Sequence, residues 1–341
     1  MPLRNARATS VLAAALCLAA PGFDGAIAGP AGGAVRPPMP QQVLARIAPL
    51  KRDATDLVPF WTAPFPYDGT IAGTDKPFWN VGESGRRAHR TPYGRVYFED
   101  ETYSDNRVLL HIPKGFDVRR PSVMIVYFHG HRATLTRDVL RRQRVPAQIT
   151  ASGANAVLVA PQLAVDAADS SAGKFWQPGA FGEFIGEAAQ ALAELHGDPR
   201  TVRTFASMPI VIVAYSGGYM PAAWCVSQGG LGRRVRGLIL LDALYDNINT
   251  FASWIERDRS AFFVSTYLGS TREKNAELVR VLAERRVGFA TELEPRLEPG
   301  SVTIFPGGPE QQVNHRDLVT HAWTDYPIAD LLRRLNGYRR K

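Results

Sequence analysis

The sequence predicts an α/β protein, a mostly parallel β-sheet covered by helices on both faces. Three observations predict it. The runs SVMIVYF (122–128), AVLVA (156–160) and GLILL (237–241) are apolar throughout, as strands buried on both faces must be. Segments of helical character alternate with them along the chain. Ser216, His131 and Asp242 fall just where such runs end, and in parallel sheets ligands bind beyond the carboxyl ends of the strands.

The elements follow in order. RVLLHIP (107–113) reads as a strand and Ser122 to Phe128 as the next, ending at His129-Gly130-His131. Asp138 to Ser152 reads as a helix interrupted at Pro146, because proline removes a helical donor. Ala156 to Ala160 is a buried strand and Phe181 to Leu195 an amphipathic helix. Ile210 to Val213 is a strand and Met220 to Ser227 a helix. Gly237 to Leu241 is a strand ending at Asp242, and Ile248 to Ile255 a helix. Ala261 to Thr266, Lys274 to Arg286 and Ser301 to Phe305 continue as strand, helix and strand, and a last helix runs from about Pro327 to Leu335.

The chain has 341 residues, 45% of them hydrophobic and 21% charged, an ordinary soluble balance with enough length for one large core. Residues 1–28 have the order of a secretory signal peptide: Arg4 and Arg7, the apolar run Val11 to Ala20, then Ala26-Ile27-Ala28 for cleavage. Export to a periplasm or beyond is the expectation, with no stable membrane span after cleavage. Removing these residues takes away two arginines and one aspartate and lowers the formal charge from +8 to +7. Aromatic and basic residues do not interleave, so nucleic acid is not an expected partner. Cys17 falls in the discarded segment, which leaves Cys225 as a buried structural thiol and no disulfide. Residues 29–40 read as a Gly/Pro-rich linker, 41–92 as an irregular N-terminal wrap without clear periodicity, and 93–341 as the main domain.

The chemistry centres on MPIVIVAYSGGYM (208–220), a β-branched strand, a sharp turn and a helix. This is the setting of the G-x-S-x-G nucleophile elbow, in which the positions two before and two after the serine must be small. Ala214 and Gly218 meet that demand, and Ser216 then stands exposed at a strand end. A serine hydroxyl needs a base, and the base an orienting acid. Ser216, Asp242 and His315 occur in the chain order Ser…Asp…His.

On these residues the chain from about Arg95 to Leu335 resembles an α/β-hydrolase, with AYSGGY and LLDALYD similar to a secreted branch of that superfamily. The resemblance implies a base in the loop after the last strand, which points to His315 within Asn314-His315-Arg316-Asp317, with His321 as runner-up. It puts the acid after the next-to-last strand, where Glu273 stands, or one strand earlier, where Asp242 closes Leu238 to Leu241. Asp242 ranks first, Asp246 second and Glu273 third. The oxyanion hole would take the amides of Gly217 and, from the His129-Gly130-His131 turn, of His131. His129 is expected to pack or hydrogen-bond behind that loop. Tyr215, Tyr219 and Trp176 are candidate substrate contacts, and the loop Gln162 to Phe181 a candidate lid.

These features describe a serine hydrolase cleaving a carboxylic ester or amide, carboxylesterase-like, on a small-molecule or envelope-derived substrate. No cofactor and no metal is required. Two alternatives remain. One is a metal-dependent hydrolase built on His129-x-His131 with His315 or His321 and Asp242. The other is a catalytically silent fold that binds envelope glycans or a protein.

Overall fold

The computed structural model describes residues 47–309 and 311–340, all within one unit spanning Pro40–Lys341. The expected signal peptide (1–28), the expected linker (29–40) and the start of the expected wrap lie outside the described residues.

Three strands form the centre: β6 (Val123–Phe128), β7 (Ala156–Pro161) and β8 (Ile210–Tyr215), with every residue buried. Side chains alternate across a strand, so each of these strands feeds two cores. Met124, Val126, Phe128, Val157, Val159, Ile210 and Ile212 face one side. Val123, Ile125, Tyr127, Leu158, Val211 and Val213 face the other. The first side is covered by α2 (Ala180–His196), α4 (Tyr219–Gln228), α5 (Ile248–Arg257) and α6 (Gly269–Glu284) through Phe181, Phe184, Ala222, Phe251 and Leu278. The second is covered by α1 (Val145–Ala151) and α7 (Pro327–Arg333) through Ile149, Ile328 and Leu332. Burying each large aliphatic side chain contributes about 1.5–3 kcal/mol, which explains the uniformly apolar runs.

The remaining strands are β1 (Ala54–Pro59), β5 (Arg107–Ile112), β9 (Val235–Leu241), β10 (Phe262–Tyr267) and β11 (Val302–Pro306), and the eight lie in the order β1-β5-β7-β6-β8-β9-β10-β11. β5 runs antiparallel to both its neighbours and all other pairs are parallel. A sheet with this order and only its second strand reversed is the α/β-hydrolase sheet, and that is the fold of this chain.

Residues 47–92 differ from the irregular wrap expected of 41–92. Ala54–Pro59 pairs with β5 as the sheet's edge, and Phe60, Phe65, Tyr67 and Phe78 are buried in the larger core. The strand ATDLVP lacks alternation because neither of its faces is fully buried at the sheet edge, and it ends in a proline that an edge tolerates. A second, three-stranded antiparallel sheet, β2 (Val81–Glu83), β3 (Arg86–Arg90) and β4 (Val96–Phe98), straddles the expected boundary at residue 92. The short helix α3 (Val202–Ser207) had no signal in the sequence reading, its preceding turn being capped by Asp198 through Arg200 N–H. The segment 135–151 is helical in two pieces, a π-helical stretch over Leu135–Arg142 and then α1, parted at Arg144 in a left-handed conformation.

Candidate active site

β8 delivers Ser216 at its carboxyl end, and the backbone there turns sharply enough that Ser216 takes φ 51°. A non-glycine residue in this region costs of order 1–3 kcal/mol and persists only where its surroundings hold it. Helix α4 follows through a single 3₁₀ turn, Ser216–Gly218. The small residues of the turn have a visible reason. Ala214 is fully buried. A Cβ on Gly218 would stand 2.5 Å from the Phe128 carbonyl oxygen, a backbone atom that cannot swing aside.

Asp242 closes β9, also at positive φ (43°), and is completely buried. Its carboxylate accepts four hydrogen bonds. Oδ1 takes the Leu268 N–H at 3.1 Å and the Thr271 hydroxyl, while Oδ2 takes the Ser270 hydroxyl at 2.9 Å and His315 Nδ1–H at 2.6 Å. Burial alone would raise the Asp242 pKa, but the bonds from His315, Thr271 and Leu268 N–H outweigh it and hold the carboxyl below the ordinary value. Asp242 is thus an ionised acid aimed at one imidazole nitrogen.

His315 follows β11 at the start of a 3₁₀ turn fixed by a capping box between Asn314 and Asp317. The Tyr215 ring lies against its imidazole, and the Tyr215 hydroxyl donates to the His315 carbonyl at 3.3 Å. With Nδ1–H given to Asp242, Nε2 carries the lone pair a base needs. The hydrogen bonds of His315 run to Asp242 and Tyr215, and among the described residues none reaches Ser216. Catalytic hydrogen bonds often tighten only when substrate is bound.

The runners-up are placed elsewhere. His321 is exposed, with Nε2 3.2 Å from Asp317 and Nδ1 2.8 Å from the Thr320 hydroxyl. Asp246 is exposed and accepts from the Asn247 N–H. Glu273 stands on the outer face of α6, which starts at Gly269 and leaves no long loop after β10.

The two histidines after β6 have different settings. His129 is buried, donating from Nδ1 to the Gly130 carbonyl at 2.8 Å and accepting at Nε2 from the Leu163 N–H and the Gln162 amide, each at 2.9 Å. Burial lowers its pKa to about 4. Both ring nitrogens are engaged, so His129 has no lone pair for a metal. The metal reading built on His129-x-His131 is corrected accordingly, and among the described residues no three His, Cys, Asp or Glu side chains group as a metal site. His131 points the other way, its Nε2 2.7 Å from Ser170 Oγ.

The substrate contacts need revision. Trp176 is not a cleft residue: it is buried edge-on against Tyr67 and Phe78, near the far end of α4, where its carbonyl accepts from Gln228. The aromatic residues of the N-terminal segment supplied the partners that the sequence reading had not placed in the core. Tyr215 sits behind His315 and orients it. Tyr219 is half-buried beside Tyr245, ring centroids 5.9 Å apart. The loop Gln162 to Phe181 is tied down by bonds from Ala168 N–H to the Tyr97 hydroxyl and from Lys174 N–H to the Pro64 carbonyl. Sequence reading missed Tyr245, whose hydroxyl donates to Ser270 at 3.4 Å. It also missed Ser270 and Thr271 around Asp242, which carried no motif. A cavity of about 320 Å³ lined by Val123, Val211, Phe262 and Tyr338 lies at the opposite, amino-terminal end of the strands and holds none of these residues.

The strand order defines an α/β-hydrolase fold, with Ser216 and Asp242 at the ends of β8 and β9 and His315 in the loop after β11. No protein-family model matches the chain, and no curated protein matches it in sequence. Among solved structures it is similar to a feruloyl esterase module from Clostridium thermocellum, at 12% identity and a TM-score of 0.42, covering 81% of this chain and 99% of that one. It is similar also to a ferulic acid esterase, at 9% identity and TM-score 0.42 (84% and 100% covered). An S-formylglutathione hydrolase from Agrobacterium tumefaciens matches at 11% identity and TM-score 0.40 (75% and 98% covered). Likenesses this distant carry no argument about activity, and the fold class rests on the strand order.

Proposed function

We propose that this chain is a serine hydrolase that cleaves a carboxylic ester, with an amide as second choice, through an acyl-enzyme on Ser216. The observation that carries the reading is the 2.6 Å bond from His315 Nδ1 to the buried carboxylate of Asp242, beside a serine at positive φ. In the proposed reaction Ser216 Oγ attacks the substrate carbonyl carbon while its proton passes to His315 Nε2. Asp242 holds the imidazole in the required tautomer and stabilises the imidazolium. The Gly217 and His131 amides receive the oxyanion. His315 then gives its proton to the leaving alcohol, and water, deprotonated in turn by His315, releases the acid. Each step uses side chains or main-chain amides of this chain and calls on no cofactor.

A small-molecule ester, or one derived from the cell envelope, suits a site on a chain whose first 28 residues read as an export signal. No described helix is long and apolar enough to cross a membrane. The missing Ser216–His315 bond favours one competitor, a hydrolase fold that binds without turning over. Labelling of the mature protein with a fluorophosphonate separates the two. Labelling that Ser216→Ala abolishes supports the serine hydrolase. A folded wild type that stays unlabelled and turns over no ester supports the silent binder.

A further inference from the structure

The side chains of His131 and Ser170 form a pair that the mechanism above leaves unused. Two observations place them beside Gly217. Their side chains are joined at 2.7 Å. A Cβ on Gly217 would stand 2.3 Å from His131 Cδ2, 2.6 Å from its Nε2 and 3.0 Å from Ser170 Oγ. The imidazole edge and the hydroxyl therefore fill the space that any side chain at 217 would need. Gly217 is the residue whose amide is assigned to the oxyanion, so Ser170 Oγ lies at the rim of that hole.

The chain on either side of the pair is tied down, although the His131 side chain itself is exposed. Asp169 accepts from the Tyr103 hydroxyl at 2.9 Å and from the Ser171 hydroxyl and N–H at 3.0 and 3.2 Å. Arg132 N–H donates to the Ala167 carbonyl at 2.8 Å, tying the stretch after His131 to the stretch before Ser170. The Ala168 N–H is bonded to Tyr97 of β4. Preorganisation of this kind makes a donor effective, because it need not reorganise as charge develops.

Resting on the Ser216 reading, we propose that Ser170 supplies a side-chain donor to the oxyanion hole, with His131 as the residue that positions it. The hydrogen-bond chain runs His131 Nε2–H to Ser170 Oγ, and Ser170 O–H to the carbonyl oxygen that turns negative. No proton changes owner, and each bond in the chain polarises the next as charge builds. Packing of the imidazole lowers the His131 pKa, with Arg132, His315 and Arg95 adding to the effect and Asp169 opposing it. Neutral and protonated imidazole can both present Nε2–H, so the donor chain does not need His131 to be charged.

The test uses the mature protein, a p-nitrophenyl ester and a trifluoromethyl ketone that mimics the tetrahedral intermediate. Ser170→Ala should lower kcat by about 10²-fold with KM little changed, as loss of one oxyanion donor does. It should weaken the ketone by a similar factor, a readout that a merely structural change would not move selectively. His131→Ala keeps its main-chain amide, and adding it to Ser170→Ala should cost far less than the product of the single effects. A Ser170→Ala enzyme that keeps kcat within about threefold, or binds the ketone as wild type does, overturns the assignment while the Ser216 reading stands. A folded wild type with neither turnover nor fluorophosphonate labelling overturns both.

Discussion

Tyr215 lies nearly flat against His315, with ring centroids 4.8 Å apart and 26° between the planes, and its hydroxyl donates to the His315 carbonyl. The residue just before the proposed nucleophile therefore fixes the base contributed from a loop a hundred residues later. Tyr215→Phe keeps the stack and loses one long hydrogen bond, so kcat should change by less than about threefold. Tyr215→Ala frees the imidazole, and a displacement of about 1 Å is enough to cost roughly 10²-fold. Steady-state kinetics of the two variants check this, equal losses in both being the contrary result.

Asp242→Asn should keep the fold and lose about 10⁴-fold in kcat. An amide in place of Oδ2 presents N–H to His315 and stabilises the wrong tautomer. The substitution also faces the hydroxyls of Ser270 and Thr271 with a poorer acceptor set, at about 1–3 kcal/mol of stability. Stopped-flow acylation and urea melts measure the two effects separately.

Gly218→Ala should be destabilising by about 1–3 kcal/mol, since its Cβ meets the Phe128 carbonyl oxygen at 2.5 Å and backbone must move. The movement would rotate the elbow, so slowed fluorophosphonate labelling should accompany the lower urea midpoint. A stable, fully reactive variant would contradict the close approach.

Stability should fall in acid in two stages. His129 and His111 are buried, and burial lowers both pKa values from 6.5 to about 4. Above pH 6.5 these rings are neutral folded and unfolded alike. As pH falls from 6.5 towards 4, only the unfolded chain takes up the protons, and each histidine withdraws about 3 kcal/mol. Asp242, with its pKa held down, contributes stability above the ordinary aspartate pKa and loses it only as the pH drops further. Urea midpoints between pH 8 and 4 give the first stage directly. His111→Gln, at a position bonded to Thr55 and Thr150, should remove about 3 kcal/mol of that decline.

Chelation should leave labelling of Ser216 unchanged, because both nitrogens of His129 are already committed to Gly130, Gln162 and Leu163. Loss of labelling with EDTA and its return with zinc would reopen the metal reading.

The sequence by itself determined strands β5 to β11, most of their helical cover and the strand ends from which Ser216, Asp242 and His315 follow. Strands buried on both faces must be apolar throughout, and a sharp strand-to-helix turn demands small residues; both leave local marks. It did not reveal β1 or the aromatic packing of residues 60–78, because an edge strand with neither face buried, ending in proline, has no period to read. Only the tertiary structure decided that His315 and not His321 meets Asp242, that Trp176 belongs to the core, and that Ser270, Thr271, Tyr245 and Ser170 surround the cleft. Hydroxyl side chains serve equally well in a solvated loop, and what gives each of these its part is the loop that crossing strands bring against it.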